Sequence, residues 1–224
     1  MLTELGTALA VILRYLSGSS ASVLDNTLVE KEHLASSVYQ YAQYQPTIVI
    51  SFYLSSVETA LLEKAEKRLM ELFQETCSKP LDMIFLGECI EVERAQLKYQ
   101  AESASQFFSE PIIRDFLFGK RDGSTLRHDL EAMDEYDVVE KWDDAKWREL
   151  IRKWFAEGHH ISLLGKPSIK LSESLEKEEK TRVEARKAEL GQKGLEELAA
   201  KLEKAKSENN KEIPRSLLEV STRS

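Results

Sequence analysis

Glycine is scarce in this chain, with nine residues in 224. They are spread too thinly to build a phosphate-cradling loop, where closely spaced glycines let backbone N–H groups approach an anion. "FGKRDGSTL", residues 118–126, lacks the G-x-x-x-x-G-K-[ST] spacing. Gly119 reads there as a helix stop, Asp122–Gly123 as a turn and Ser124 as the cap of the next helix. A basic excess is also missing: 31 Lys and Arg stand against 39 Asp and Glu, for a net charge of -8. No cluster of cations is present to displace counterions from phosphates, which argues against a nucleic-acid surface. The two cysteines, Cys77 and Cys89, lie twelve positions apart and form neither a Cys-x-x-Cys motif nor a disulfide framework. They predict packing as small hydrophobes in a reducing compartment. The opening "MLTELGTALAVILRYLSG" has no basic leader, and Glu4 and Arg14 interrupt its apolar run. It reads as an amphipathic helix, not as a signal peptide or a membrane span.

Histidine is rare as well, with four residues. One lies in "LRHDLEA", residues 126–132, which stops one ligand short of the inverted zinc-peptidase motif H-x-x-E-H. In such a helix the two His lie four apart on one face and hold the metal, while the Glu serves as general base. Ala132 cannot ligate, so His128 has no local partner. His33 is far off in sequence, and His159 and His160, adjacent in a predicted strand, point to opposite faces. No complete metal set is legible, and the segment reads as a surface helix carrying a polar His. No Ser occupies a G-x-S-x-G elbow. The carboxylate pairs Asp134/Glu135 and Asp143/Asp144 read as solvated helix ends.

What is present is apolar periodicity. Residues 2–16 suit a helix ending near Gly18, followed by the Ser-rich turn "SGSSAS" and a short helix in "SVLDNTLVEK". "SSVYQYAQYQ" alternates, with Val38, Gln40, Ala42 and Tyr44 on one face and Tyr39, Tyr41 and Gln43 on the other. "TIVISFYL" is β-branched and aromatic, and Pro46 separates the two runs. A pair of adjoining strands follows, the second expected to be the more deeply buried. Helical spacing resumes over 57–74, 81–103, 105–118, 124–133 and 143–157, with Trp142, Trp147 and Trp154 as anchors. "HHISLLG", residues 159–165, predicts a third strand.

The expected fold is therefore α+β. A helix-rich body over residues 1–169 rests on a small antiparallel sheet of about three strands. That is thin for so many helices, so further polypeptide is expected to complete the sheet. After Pro167 the composition changes: residues 170–212 hold eleven Lys and Arg and eleven Asp and Glu. Their apolar positions are sparse, and Gly191 and Gly194 are natural stop and restart residues. A helical hairpin over 170–213 and a tail over 214–224 follow.

Three stretches carry a resemblance: "YLSGSSASVLDNTLVEKEHLASSV", "FLFGKRDGSTLRHDLEAMDEYDVVEKWDDAKWRELIRKW" and "HHISLLGKPSIKLSESLEKEEKTRVEARKAELGQKGLEELAAKLEKAKSENNKEIPRSLL". In order and spacing the chain resembles the pitrilysin/insulysin superfamily of inverzincin metallopeptidases, in the branch that includes presequence protease. The likeness is strongest at "GKPS" (Gly165, Pro167, Ser168), "LG..GL" (Gly191, Gly194), "A...N" and "IP..LL". It implies a clamshell of four related α+β domains enclosing a peptide. This chain would be the later part of the second domain plus the hairpin joining the halves.

The zinc helix of such a protein belongs to the first domain, so the resemblance implies zinc in the parent with ligands outside this chain, and no catalytic residue here. The implied partners are a peptide substrate and the rest of the same polypeptide, its first domain and C-terminal half. A peptide end would dock along a strand beside a small-residue turn, here Ser17, Gly18, Ser19 and Ser20 with Ala35, Ser36, Ser37, Val38 and Tyr39. Two other readings stand beside it: a segment of a structural homologue without activity, and a free-standing interaction module. The expected compartment is the cytosol, with the mitochondrial matrix as the alternative.

Overall fold

Seven residues of the first helix are at most 5% exposed: Ala8, Leu9, Val11, Ile12, Leu13, Tyr15 and Leu16. A helix that is apolar on most sides must lie inside, and α1 (Leu2–Leu16) runs through the centre of the body. The computed structural model describes residues 2–43, 47–103, 106–130 and 132–211. These form two compact units that divide between Gly165 and Lys166.

In the first unit, α1 packs against α3 (Met83–Ser103), α6 (Ala132–Val139) and α7 (Asp144–Ile151). Leu86, Cys89 and Ile90 repeat at helical spacing and give α3 its buried stripe. Polar links fix the register of these contacts. Thr7 donates to Glu135 at 2.7 Å, Arg14 pairs with Glu93, and the Arg14 guanidinium donates to Gln96 at 2.7 Å. Trp147 is fully buried and meets Trp142 at 4.9 Å between ring centroids, while Trp154 packs on the core margin. Asp143 caps α7, its carboxylate accepting from the Lys146 N–H at 2.8 Å.

The sheet has two antiparallel strands, β1 (Ser37–Gln43) and β2 (Val49–Ser55), in a register that sets Tyr39 opposite Tyr53. Its inner face meets α2 (Leu62–Ser78) and the π-helical turn Arg152–Ala156. There Phe52, Phe73 and Phe155 lie 5.1 to 5.9 Å apart between ring centroids. The expected alternation holds on β1: Val38 faces inward, and Tyr39 and Tyr41 face out.

One expectation holds in part and one needs correction. β2 has two exposed residues of seven against four on β1, although the one fully buried position of the pair, Val38, lies on β1. The expected third strand at 159–165 does not form, leaving two strands among the described residues. A strand exists by pairing, and no described segment lies alongside this one to pair with it. Tyr44 and Pro46 lie outside the described residues.

Past Leu97, α3 continues beyond the core, and α4 (Gln106–Phe118) and α5 (Ser124–Leu130) pack mainly on each other. Gly119 ends α4, its N–H donating to the Asp115 carbonyl at 2.7 Å. Ser124 is the first residue of α5 and not its cap: the Gly123 carbonyl accepts from the Arg127 N–H at 3.2 Å, and the Asp122 carboxylate in the preceding turn accepts from the Ser124 N–H and hydroxyl at 2.9 and 2.7 Å.

The second unit contains α8 (Ile169–Asn209), broken at Gly191, where φ is 60° and ψ is -179°. That backbone region is open almost only to glycine. Ser168 caps α8, accepting from the Leu171 N–H at 3.2 Å. Leu171, Leu175, Leu198 and Leu202, among the sparse apolar positions of this segment, are exposed within this unit. "IP..LL" and the tail 214–224 lie outside the described residues.

Candidate functional site

The turn after α1 is held by its own serines. Ser22 donates to the Arg14 carbonyl at 2.9 Å and meets the Ser19 hydroxyl at 3.0 Å. The Gly18 N–H reaches the Asp25 carboxylate at 3.1 Å, and the Asn26 amide reaches the Ser20 carbonyl at 3.1 Å. Gly18 has φ +126°, a conformation that L side chains rarely adopt. Helix end, Ser-rich turn and following π-helix (Asp25–Lys31) are thus one hydrogen-bonded corner.

Ser17 joins this corner to the sheet. It is 2% exposed, and its hydroxyl donates to the Val38 carbonyl at 3.2 Å. The structure therefore brings together the turn and the strand that the resemblance singles out. It sorts their side chains into two groups. Ser17, Ala35 and Val38 are buried, whereas Gly18, Ser19, Ser20, Ser36, Ser37 and Tyr39 are exposed. Ser36 doubles the end of the ladder, its N–H and hydroxyl both donating to the Ser55 carbonyl, at 2.9 and 3.2 Å.

Main-chain groups alternate across an antiparallel ladder, so those of Gln40 and Ala42 point to the same side as those of Val38. Among the described residues no third strand covers either edge of the sheet. An open edge of this kind can accept an extended peptide through main-chain hydrogen bonds, with little demand on its sequence.

The outer face carries a group of aromatics that only partly shows in the sequence. Tyr39 stacks on Tyr53, with centroids 4.7 Å apart and planes 7° apart, and Tyr41 lies exposed beside them. The period-two pattern signals Tyr39 and Tyr41. The partnership of Tyr53 depends on the strand register, which sets it opposite Tyr39.

Among the described residues, no three His, Cys, Asp or Glu side chains converge as metal ligands. His160 sits 3.8 Å from Glu66, and the His33 Nδ1 lies 2.9 Å from the Val29 carbonyl. Cys77 and Cys89 are free and buried, and burial pushes the Cys89 thiol up to about 11. Neither is a poised nucleophile. Among the described residues, no helix is long and apolar enough to cross a membrane. Gly165, Pro167 and Ser168 bridge the end of the first unit and the start of α8, where Ser168 acts as helix cap. Gly194 follows the break at Gly191 and lies against the Leu190 side chain.

Comparison with known proteins adds length, not function. An uncharacterized protein of Schizosaccharomyces pombe is 29% identical over 213 residues, covering 94% of this chain and 20% of that protein. An uncharacterized protein of Saccharomyces cerevisiae is 27% identical over 215 residues, covering 95% of this chain and 20% of its own length. One from Caenorhabditis elegans is 26% identical over 219 residues, at 94% and 22%. The chain thus spans about one fifth of the length of these relatives. No protein-family model and no solved structure matches.

Proposed function

We propose that this chain is the non-catalytic wall and hinge of a peptide-degrading zinc metallopeptidase of the pitrilysin/insulysin type. Three observations support the reading: the ordered motifs from "SGSS" to "GKPS" and "LG..GL", relatives about five times as long, and an open sheet edge beside a pinned turn. The last of these carries it. Ser17 holds the turn against β1. Beyond that contact, the edge at Gln40 and Ala42 can take an extended peptide whatever its side chains. That chemistry suits an enzyme that handles varied peptides.

The described residues do not fit a zinc site, so no bond-breaking step is assigned to them. Zinc and its water-activating carboxylate belong to other parts of the polypeptide in this reading. The partners are the peptide and the remainder of the same protein. Free buried thiols fit a reducing compartment, the cytosol or the mitochondrial matrix.

The test is amide exchange of the 224-residue chain with and without two unstructured peptides of unrelated sequence. Slowed exchange at Gln40 and Ala42 with both peptides is expected. Docking of neither peptide, or of one sequence alone, would remove the peptide-wall reading.

A further inference from the structure

Residues 159–164 have the marks of a strand and none of its pairing. The segment is bounded by Gly158 and Gly165, and its side chains alternate. His160 and Ser162 both turn to α2, where the Glu66 carboxylate lies 3.8 Å from the His160 ring and accepts from the Ser162 hydroxyl at 3.1 Å. Ile161 and Leu163 turn the other way and are 90% and 93% exposed. Among the described residues, no main-chain group from His159 to Pro167 bonds to another main-chain group. Two large aliphatic side chains left in water forgo the burial that would stabilise them. The same features are what an added strand uses: main-chain groups for the ladder and an apolar pair to cover.

We propose that residues 159–164 are a docking strand, and that its occupant is a β-strand from polypeptide outside these 224 residues. The inference rests on reading the chain as part of a longer protein. The choice of occupant follows from length. The matched relatives carry about four fifths of their sequence outside the region they share with this chain, which is ample for the missing strand and its covering layer. Anchoring by Glu66 leaves one face of the segment on α2 and presents Ile161 and Leu163 to the incoming layer.

Hydrogen exchange tests this on two proteins, the 224-residue chain and the full-length Schizosaccharomyces pombe relative. In the short chain, amides 159–164 exchange within about tenfold of an unstructured peptide. The aligned segment of the relative is slowed at least about a hundredfold, as for a paired strand. Fast exchange in both proteins, or slow exchange in both, overturns the proposal. Protection in the short chain that rises with protein concentration also overturns it, because the occupant is then a second copy. As a second readout, Leu163→Asp leaves the melting temperature of the short chain unchanged and lowers that of the relative when placed at the aligned position. A drop in the short chain overturns the proposal. Zinc content and peptide hydrolysis are measured on the same sample of the relative. If both are absent while the segment is protected, the peptidase reading fails and the docking strand stands.

Discussion

Removing the Ser17 hydroxyl isolates the contact on which the docking site depends. In Ser17→Ala the Val38 carbonyl loses its side-chain donor inside a position that is 2% exposed. Leaving a buried acceptor unsatisfied costs about 1–3 kcal/mol. For a domain of this size 1 kcal/mol moves the melting temperature by about 2–4 °C, so a fall of roughly 4–8 °C is expected for a mid-range loss. Ser19→Ala is the matched control: its hydroxyl bonds to Ser22 at 3.0 Å but the residue is exposed, so the change stays within about 0.5 kcal/mol. Urea titration of both variants, with melting followed by circular dichroism, gives the comparison. The exchange protection that peptides confer at Gln40 and Ala42 should weaken in Ser17→Ala, because the turn is no longer fixed to the strand. Equal stability of the two variants would refute the reasoning.

Further expectations follow from other parts of the molecule. Leu9→Ala opens a cavity at a fully buried position in α1 and should cost about 2–5 kcal/mol in urea denaturation. Cys77 and Cys89 are buried, and burial raises the Cys89 thiol to about 11; a thiol reagent at pH 8 should leave the folded chain unlabelled and label both residues after unfolding. The Asp144 carboxyl is held below the usual range by the Leu81 N–H and then by Arg148. A lowered carboxylate stabilises the fold above its unfolded value near ~3.9, and this contribution is lost as pH falls through the lower folded value. Asp144→Asn should therefore flatten the acid limb of a stability–pH curve. Gly191→Ala forbids the φ of +60° and should let α8 run on; spin labels at positions 175 and 202 should then sit near the ~40 Å of an unbroken helix.

Periodicity made the helices and the strand pair legible, because burial of one face is a local property of the sequence. The helices over 2–16 and 81–103 and the alternation of Val38 against Tyr39 and Tyr41 followed from spacing, whereas the near-complete burial of α1 did not. Register and pairing did not, since they depend on turns and on distant segments. The Tyr39–Tyr53 stack needed the hairpin register, and the strand signal at 159–165 could not say whether a partner was at hand. The site was legible to the extent that a Ser turn and a strand were named together. The bond from Ser17 to Val38, which spans 21 residues, was not. Nor was the inward position of Ala35, set by the Leu28 carbonyl, which accepts its N–H at 3.3 Å.

Metal content and peptide hydrolysis, measured side by side on the 224-residue chain and on the full-length Schizosaccharomyces pombe relative, test the central claim most directly. The account predicts one zinc per molecule and peptide turnover for the relative, and neither for the short chain. Stoichiometric zinc or turnover in the short chain, or a full-length relative lacking both, would contradict it.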